Sequence, residues 1–233
     1  VCISGEELGV FSDNTAHTNG VGLRIYPIYI PRTDACAAIY DNMIDDMFSY
    51  NPPKPATFSN VLSFSNVTGF FARNVGAIVL DNFALISNWD GATVAEPDNA
   101  PVDEPQMINS VIVSESPLTT THGIKTHIGF TTGRKDGFLL NGVKFINFSE
   151  GDIIKTCEGC ESDMHAMPGA PLTTFNNITF ENVTVPLIRF NNGARDKDIL
   201  RDKDGSLGKY LGFSTSTGGW ITPYFKHLEV PQC

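Results

Sequence analysis

The sequence predicts an all-β protein, a parallel β-helix in which short strands stack as the coils of a solenoid. The evidence is a seven-residue pattern, Asn followed by alternating variable and apolar residues and then a polar residue, best seen in Asn141–Asn147. Alternation with period two predicts strands. The pattern recurs at 60–66, 82–88, 109–115 and 176–182. Copies that start 22, 27, 32 and 35 residues apart predict a solenoid whose loops differ in length.

The pattern also predicts which side chains face the interior. In each copy the two alternating apolar residues are expected inside, as the pairs Leu62/Phe64, Ala84/Ile86, Val111/Val113, Val143/Phe145 and Ile178/Phe180. The first Asn of each copy is expected to form a buried ladder of amide hydrogen bonds, as identical side chains do in cross-β stacks. The last polar residue is expected to face solvent.

The N-terminal part of the chain contains one more copy and one excursion. A copy begins at Asn19, with Val21 and Leu23 in the apolar places. Residues 39–50 show helical spacing of apolar residues and are predicted to leave the solenoid as a short helix or turn structure. The proline-rich segment 51–55 is expected to be extended and to lead back to the coils.

The remaining chain alternates coils with loops and ends in a cap. Coils are predicted over 56–90, 107–156 and 174–190, with excursions at 91–106 and 157–171. Solenoid ends expose apolar faces and unpaired strand edges, so the aromatic segment 191–233 is predicted to be a C-terminal cap. Residues 1–233 are expected to form a single domain, as a fragment of a longer ectodomain.

Composition and charge narrow the class of protein. Hydrophobic residues make up 41% of the chain, and 16 Phe and 21 Gly against two Trp favour strands joined by tight turns. The formal net charge of −10 disfavours binding to nucleic acid, which needs clustered Lys and Arg. No apolar stretch approaches the ~20 residues that cross a bilayer. The absence of an N-terminal Met and of a signal peptide indicates a mature fragment.

Cysteines and glycosylation sequons indicate a secretory compartment. Four sequons are expected to carry N-glycans, at Asn66, Asn147, Asn177 and Asn182. Disulfides are then expected among the five cysteines, although their odd number leaves at least one without a partner in this chain. The candidates are Cys2, Cys36, Cys157, Cys160 and Cys233. Cys157 and Cys160 are interpreted as a disulfide-linked loop, with a Zn²⁺ site or a redox pair as the alternatives.

Several segments together resemble the fibrocystin family of extracellular parallel β-helix proteins, which includes fibrocystin and fibrocystin-L. Phe11–Ile25 is similar to the family's N-x-A-H-S … G-L-R-I coil, and 51–58 follows at the expected distance. Arg201–Leu207 looks like its D-x-D-G-S/T-L segment, and Gly219–Leu228 like the tail of protist members. The resemblance implies a right-handed β-helix in a secreted or membrane-tethered ectodomain, with a ciliary or flagellar setting. Its hyaluronan-directed members are associated with polymer breakdown.

Candidate chemistry in the sequence is sparse. Asp202 and Asp204 are spaced like ligands of a Ca²⁺ loop, but the acid two residues earlier is replaced by Leu200, so a charged turn is preferred. Polysaccharide-cleaving β-helix proteins use carboxylates with a basic residue. The residues of those types here are Asp41, Asp45, Asp46, Asp81, Arg24, Arg73 and Lys144. No spacing places them on one face. His17 is interpreted as a buried structural residue, and no Ser nucleophile elbow is present.

These observations favour a non-enzymatic extracellular or cell-surface glycoprotein with a structural or adhesive role. Its rigid surface is expected to contact other extracellular or membrane proteins or glycans, with self-assembly into a filament as one form of contact. Neither a membrane span nor a nucleic-acid partner is expected within this chain. The alternative hypothesis is a polysaccharide-binding or -depolymerising ectodomain directed at hyaluronan-like polymers. A basic, aromatic-lined groove would favour the alternative.

Overall fold

The computed structural model describes residues 5–34, 53–94, 105–116, 125–133, 138–156, 173–190, 200–211, 219–221 and 228–229. Within these ranges the fold is almost entirely β, with three long sheets and one five-residue helix. The chain visits the sheets in the order A, B, C six times. Each visit is one coil of a parallel solenoid, which confirms the predicted all-β, solenoid class.

Each coil contributes one strand to each sheet, and the strands of successive coils pair in parallel. Sheet A contains β1 Phe11–Ser12, β4 Ala56–Ser59, β7 Ile78–Asp81, β10 Gln106–Ile108, β13 Phe138–Asn141 and β16 Thr173–Asn176. Sheet B contains β2 Thr15–His17, β5 Leu62–Phe64, β8 Ala84–Ile86, β11 Val111–Val113, β14 Lys144–Ile146 and β17 Thr179–Glu181. Sheet C contains β3 Val21–Ile25, β6 Thr68–Ala72, β9 Asp90–Val94, β12 Ile128–Thr131, β15 Asp152–Lys155 and β18 Ile188–Arg189.

The corner between sheets A and B is the most regular part of the fold. It is two residues long in every coil, and its first residue always has a positive φ. Asn and Gly adopt this left-handed conformation at the lowest cost. The residues are Asp13, Asn60, Asn82, Asn109, Gly142 and Asn177. In three copies of the sequence pattern, the first Asn therefore turns the chain at this corner.

This corner shows that the sequence-based alignment of the copies was shifted by one residue in three of them. Asn60, Asn82 and Asn109 occupy the same place as Gly142 and Asn177, whereas Asn141 and Asn176 end the preceding strands. A shift of one residue exchanges the inner and outer faces of a strand. The inward column of sheet B is Ala16, Ser63, Leu85, Ile112, Phe145 and Phe180.

The prediction of inner apolar pairs was therefore right for Val143/Phe145 and Ile178/Phe180 and wrong for the other three copies. In those copies the buried pairs are Val61/Ser63, Phe83/Leu85 and Ser110/Ile112. The residues predicted to be inside are only half-buried, on the outer face: Leu62/Phe64, Ala84/Ile86 and Val111/Val113.

The core runs the length of the solenoid as stacked columns of apolar side chains. Its largest fully buried residues include seven phenylalanines. Their burial explains why a chain with 16 Phe forms a stable stack of strands that are each too short to be stable alone. They are Phe70, Phe83, Phe130, Phe138, Phe145, Phe148 and Phe175.

Sheet C packs closely because glycine occupies the second place of four successive strands. A Cβ atom on Gly69 would lie 2.6 Å from the carbonyl oxygen of Gly91 and 2.6 Å from Nδ2 of Asn88. A Cβ on Gly91 would lie 2.4 Å from the carbonyl oxygen of Gly129. These contacts are shorter than any real Cβ makes, so the close approach of the coils requires glycine at these places.

The last described residues continue sheet A alone. Strand β19 (Leu200–Asp202) pairs with β16 in parallel, and β20 (Gly219–Ile221) and β21 (Leu228–Glu229) follow antiparallel. Helix α1 (Ser206–Tyr210) lies between β19 and β20, and its Leu207 is fully buried. These elements fall in the segment predicted to be a cap. The excursions predicted at 39–50 and 157–171 lie outside the described residues.

Candidate binding faces

The outer face of sheet B presents an apolar surface that no described segment covers. Two outward columns run along it, from Leu62 to Val111 and from Phe64 to Ile146. We call this surface the B face; its half-buried apolar residues are Leu62, Phe64, Ala84, Ile86, Val111, Val113 and Ile146. Contiguous apolar surface of this kind is typical of interaction sites.

The ends of the B face are polar. At one end His17 is exposed, and its ring stacks on Phe64 with centroids 4.8 Å apart. The prediction that His17 is buried was therefore wrong, because Ala16 takes the inward place of this strand and His17 lies on its outer face. At the other end Lys144 forms an ion pair with Glu181. Flat apolar surface bounded by polar groups is the usual arrangement of a protein contact site.

The outer face of sheet C has a different character, because it combines aromatic rings with charged groups. The exposed Arg24 guanidinium lies over the Tyr26 ring, 4.5 Å from its centroid, and 5.6 Å from that of Phe71. Farther along, Asp152 accepts a hydrogen bond from Arg189 over 3.1 Å. We call this surface the C face. Its charged strand residues are Arg24, Asp90, Asp152, Lys155 and Arg189.

The B–C corner adds a column of exposed apolar side chains beside the C face. The Trp89 side chain is 51% exposed and follows Val67 of the preceding coil, which is 59% exposed. In the next coil the His127 ring packs against the indole, with centroids 4.0 Å apart and planes tilted by 42°. The pair forms a broad aromatic surface that faces outward.

Asp90 lies directly after Trp89, between Thr68 and Ile128 in the register of the sheet. Its Oδ1 atom is buried and has no hydrogen-bond partner within the described part of the chain. Burial raises the pKa of this carboxyl above its ordinary value, while the nearby Lys155 and His127 act to lower the pKa. Asp90 is thus a partly desolvated acceptor beside an aromatic surface.

The predicted glycosylation sites occupy very different environments. Asn177 and Asn182 are exposed at corners, and Asn147 is half-buried with Nδ2 donating to the Glu115 carbonyl over 3.0 Å. Asn66 is only 1% exposed, and its Nδ2 atom donates to Ser63 and Asn88 over 3.0 Å each. Glycosylation of the four sites stays a prediction, and Nδ2 of Asn66 is already engaged inside the fold.

A buried amide ladder does exist, but at the second Asn of the pattern rather than the first. The Asn88 Oδ1 accepts the backbone N–H of Asn66 over 3.0 Å, and Oδ1 of Asn66 accepts that of Asn19 over 2.9 Å. At the first Asn the ladder is exposed, with Asn82 donating to Asn60 over 2.8 Å. The prediction of a buried ladder at the first Asn was wrong, because the side chains of Asn60 and Asn82 lie on the outside of the corner between sheets A and B.

The two Ca²⁺ candidates accept hydrogen bonds from the backbone. Asp202 is fully buried, and its carboxylate accepts the N–H groups of Leu207 and Gly208, over 3.3 and 2.8 Å. Asp204 accepts the N–H groups of Ser206 and Asn177, over 3.1 and 2.8 Å. Gly205 turns the chain with a φ of 78°. This geometry is that of a helix cap. Among the described residues no three His, Cys, Asp or Glu side chains cluster around a common metal position.

The other residues suggested for polysaccharide cleavage lie on different sides of the solenoid. Asp81 ends a strand of sheet A and accepts a hydrogen bond from Asn109 over 3.0 Å. Lys144 lies on sheet B and Arg24 on sheet C. Asp41, Asp45 and Asp46 and all five cysteines lie outside the described residues, so the disulfide candidates stay predictions. None of the helices in the described ranges has the length and apolar character needed to cross a membrane.

Sequence reasoning missed the group formed by Trp89, Asp90 and His127. Trp89 was detectable, because Asn66-Val67-Thr68 and Asn88-Trp89-Asp90 occupy the same places in successive coils. His127 was not, since it ends a connection, 114–127, whose length varies from coil to coil. In comparisons with known proteins, no family model, curated protein or solved structure matches this chain.

Proposed function

We propose that this chain is a right-handed β-helical segment of an extracellular or cell-surface glycoprotein that contacts other proteins through its B face. The role is structural or adhesive and non-enzymatic, and its setting is a cell, ciliary or flagellar surface. Crossovers between parallel strands of one sheet are almost always right-handed, which supports the hand. The resemblance of residues 11–25 to the fibrocystin family supports the compartment.

The observation that carries this proposal is the apolar surface of sheet B. Seven apolar side chains from four consecutive coils lie on one continuous parallel sheet. The inward column of this sheet is fully buried from Ser63 to Phe145, so the sheet is packed against the core over these coils. The two-residue corners on the sheet A side leave this border free of long loops. A partner that covers the B face would remove this apolar surface from water at little entropic cost.

The test uses labelled chain and intact cells of the source organism. The variant Ile86→Asp/Val113→Asp places two carboxylates on the B face, and Thr93→Asp/Thr131→Asp places two on the C face as the matched control. We expect saturable binding that is lost when the cells are treated with protease and weakened at least about tenfold by the B-face variant alone. Equal binding of both variants would contradict the proposal.

The non-enzymatic part of the proposal has its own test. The chain is incubated with a panel of acidic and neutral polysaccharides, and the polymer size is followed by size-exclusion chromatography. We expect no change in size. Shortening of any polymer would replace this proposal with the second one.

The second candidate function is binding or depolymerisation of a polysaccharide, including hyaluronan-like polymers. The C face favours it, because the Tyr26 and Phe71 rings lie against Arg24, and Lys155 and Arg189 continue the same outward column. Aromatic faces and polar side chains together are typical of small-molecule and sugar recognition. Retention of the chain on immobilised polysaccharide would support this function, and failure to bind any polymer would contradict it.

A further inference from the structure

We propose that Trp89, His127 and Asp90 form a binding site for a neutral saccharide on the C face. The proposal rests on the second candidate function, and it adds the position of the site and the class of the ligand. Trp89 and Asp90 are adjacent in one coil and His127 belongs to the next, so the register of the stack brings His127 to the other two.

The first component of the site is the aromatic surface. The His127 N–H donates to the Trp89 carbonyl over 2.8 Å, so the backbone fixes the two side chains in successive places of one column. The ring centroids lie 4.0 Å apart, and half of the indole remains exposed. The exposed face of the indole is an aromatic surface on which the apolar face of a sugar ring can pack.

The second component is the unsatisfied carboxylate. Asp90 follows Trp89 directly, and its buried Oδ1 has no hydrogen-bond partner in the described part of the chain. An unpaired buried acceptor is unfavourable, and a hydroxyl donor from a ligand would satisfy it. The raised pKa of Asp90 is consistent with this desolvated position.

The charges around the site select among possible ligands. Lys155 and His127 both act on Asp90 electrostatically, so a cationic ammonium ligand would meet positive charge on the same face. A polyanion would approach the Asp90 carboxylate on a chain of net charge −10. A neutral ligand that donates hydroxyl groups avoids both repulsions. This chemistry indicates a neutral oligosaccharide.

The experiment is a binding titration with defined oligosaccharides. The chain is screened on an array of neutral oligosaccharides of glucose, mannose and N-acetylglucosamine, with hyaluronan and heparin fragments as anionic competitors. Hits are titrated by isothermal titration calorimetry, because the chain contains only two Trp and a Trp fluorescence signal would be lost in the Trp89 variants. Dissociation constants are compared for Trp89→Ala, Trp89→Phe, Asp90→Asn and the control Thr93→Ala. Circular dichroism verifies that each variant is folded.

We expect a neutral oligosaccharide to bind and Trp89→Ala and Asp90→Asn each to weaken binding at least about tenfold. Trp89→Phe should retain part of the affinity, and Thr93→Ala all of it. Binding that Trp89→Ala leaves unchanged would overturn the site while the second candidate function stands. Tighter binding of the anionic fragments, or no binding of any neutral oligosaccharide, would overturn the ligand class.

Discussion

At the scale of single residues, the glycines of sheet C set the distance between coils. Gly69 illustrates the effect, because its Cβ position is occupied by the backbone of the next coil and by the Asn88 amide. Asn88 belongs to the buried ladder that joins sheets B and C, so a side chain at Gly69 would disturb both the strand contact and the ladder. The glycine column and the amide ladder are therefore one structural unit.

We expect Gly69→Ala to lower the free energy of unfolding by about 1–3 kcal/mol, the usual cost of overpacking. The measurement is denaturant unfolding followed by circular dichroism. Gly20→Ala is the control, because a Cβ at Gly20 has no neighbour within 4 Å. Equal stability of the two variants would show that the coils are not in contact at Gly69.

We expect the four sequons to differ in occupancy. In a secretory host, Asn177 and Asn182 should carry N-glycans, because both side chains are exposed. Asn66 should be unmodified in the folded secreted chain, since its Nδ2 atom donates two hydrogen bonds in the interior. Peptide mapping by mass spectrometry measures the occupancy. A fully glycosylated Asn66 in folded chain would contradict the buried ladder.

Asp90 is expected to make the folded chain less stable as the pH rises. Because burial raises the folded-state pKa of Asp90 above the unfolded value of 3.8, the folded state holds its proton more tightly. Stability is then lost as the pH rises through the raised pKa, when the carboxyl must ionise. Asp90→Asn avoids this loss and should raise the melting temperature at pH 7.

The comparison of Asp90→Asn with the wild type has an internal control at low pH. Below the unfolded pKa both states of Asp90 are protonated, so the difference in melting temperature between Asp90→Asn and the wild type should shrink toward pH 3. Thermal unfolding across this pH range measures the difference. A variant that is less stable than the wild type at pH 7 would mean that the charged Asp90 has a stabilising partner.

At the scale of elements, the sequence was sufficient to predict strands and their repetition but not the face that each strand buries. Ser63 shows why. Hydrophobicity alone places Leu62 and Phe64 inside, yet Ser63 is fully buried because its hydroxyl donates to the Gly69 carbonyl over 2.9 Å. The correct register follows from the left-handed corner, which accepts Asn or Gly. Asn60 therefore aligns with Gly142, a match that a search for repeated Asn overlooks.

The C-terminal elements depend on Asp202. Its buried carboxylate accepts two N–H groups in the first turn of α1, which has no side-chain cap of its own at Gly205. We expect Asp202→Ala to lower the free energy of unfolding by about 1–3 kcal/mol, because it leaves buried donors without an acceptor. The exposed Lys203→Ala is the control. Unfolding curves in denaturant give both values.

The same variants decide between a helix cap and a Ca²⁺ site. If the segment binds Ca²⁺, millimolar Ca²⁺ should raise the melting temperature of the wild type and not that of Asp202→Ala. We expect no shift in either protein, because the carboxylates are aimed at backbone N–H groups.

At the scale of the whole molecule, the net charge of the chain does not describe its separate surfaces, because the B face and the C face differ in character. The charge of −10 disfavoured any basic aromatic face. The fold nevertheless collects Arg24, Lys155 and Arg189 on sheet C and leaves sheet B apolar on its outside. Composition averages over all faces of the molecule. The net charge therefore bears on solubility but does not predict which face binds a partner. Which face binds which partner depends on the register of the coils.

The register of the coils therefore decides which side chains form the B face and the C face, and a crystal structure of the chain would show it. We expect three parallel sheets wound in a right-handed sense, with Ser63, Leu85, Ile112 and Phe145 in one inward column. Ile86, Val113 and Trp89 should then be on the outside. A structure in which Leu62, Ala84 and Val111 face the interior, or in which successive coils pair antiparallel, would contradict this register.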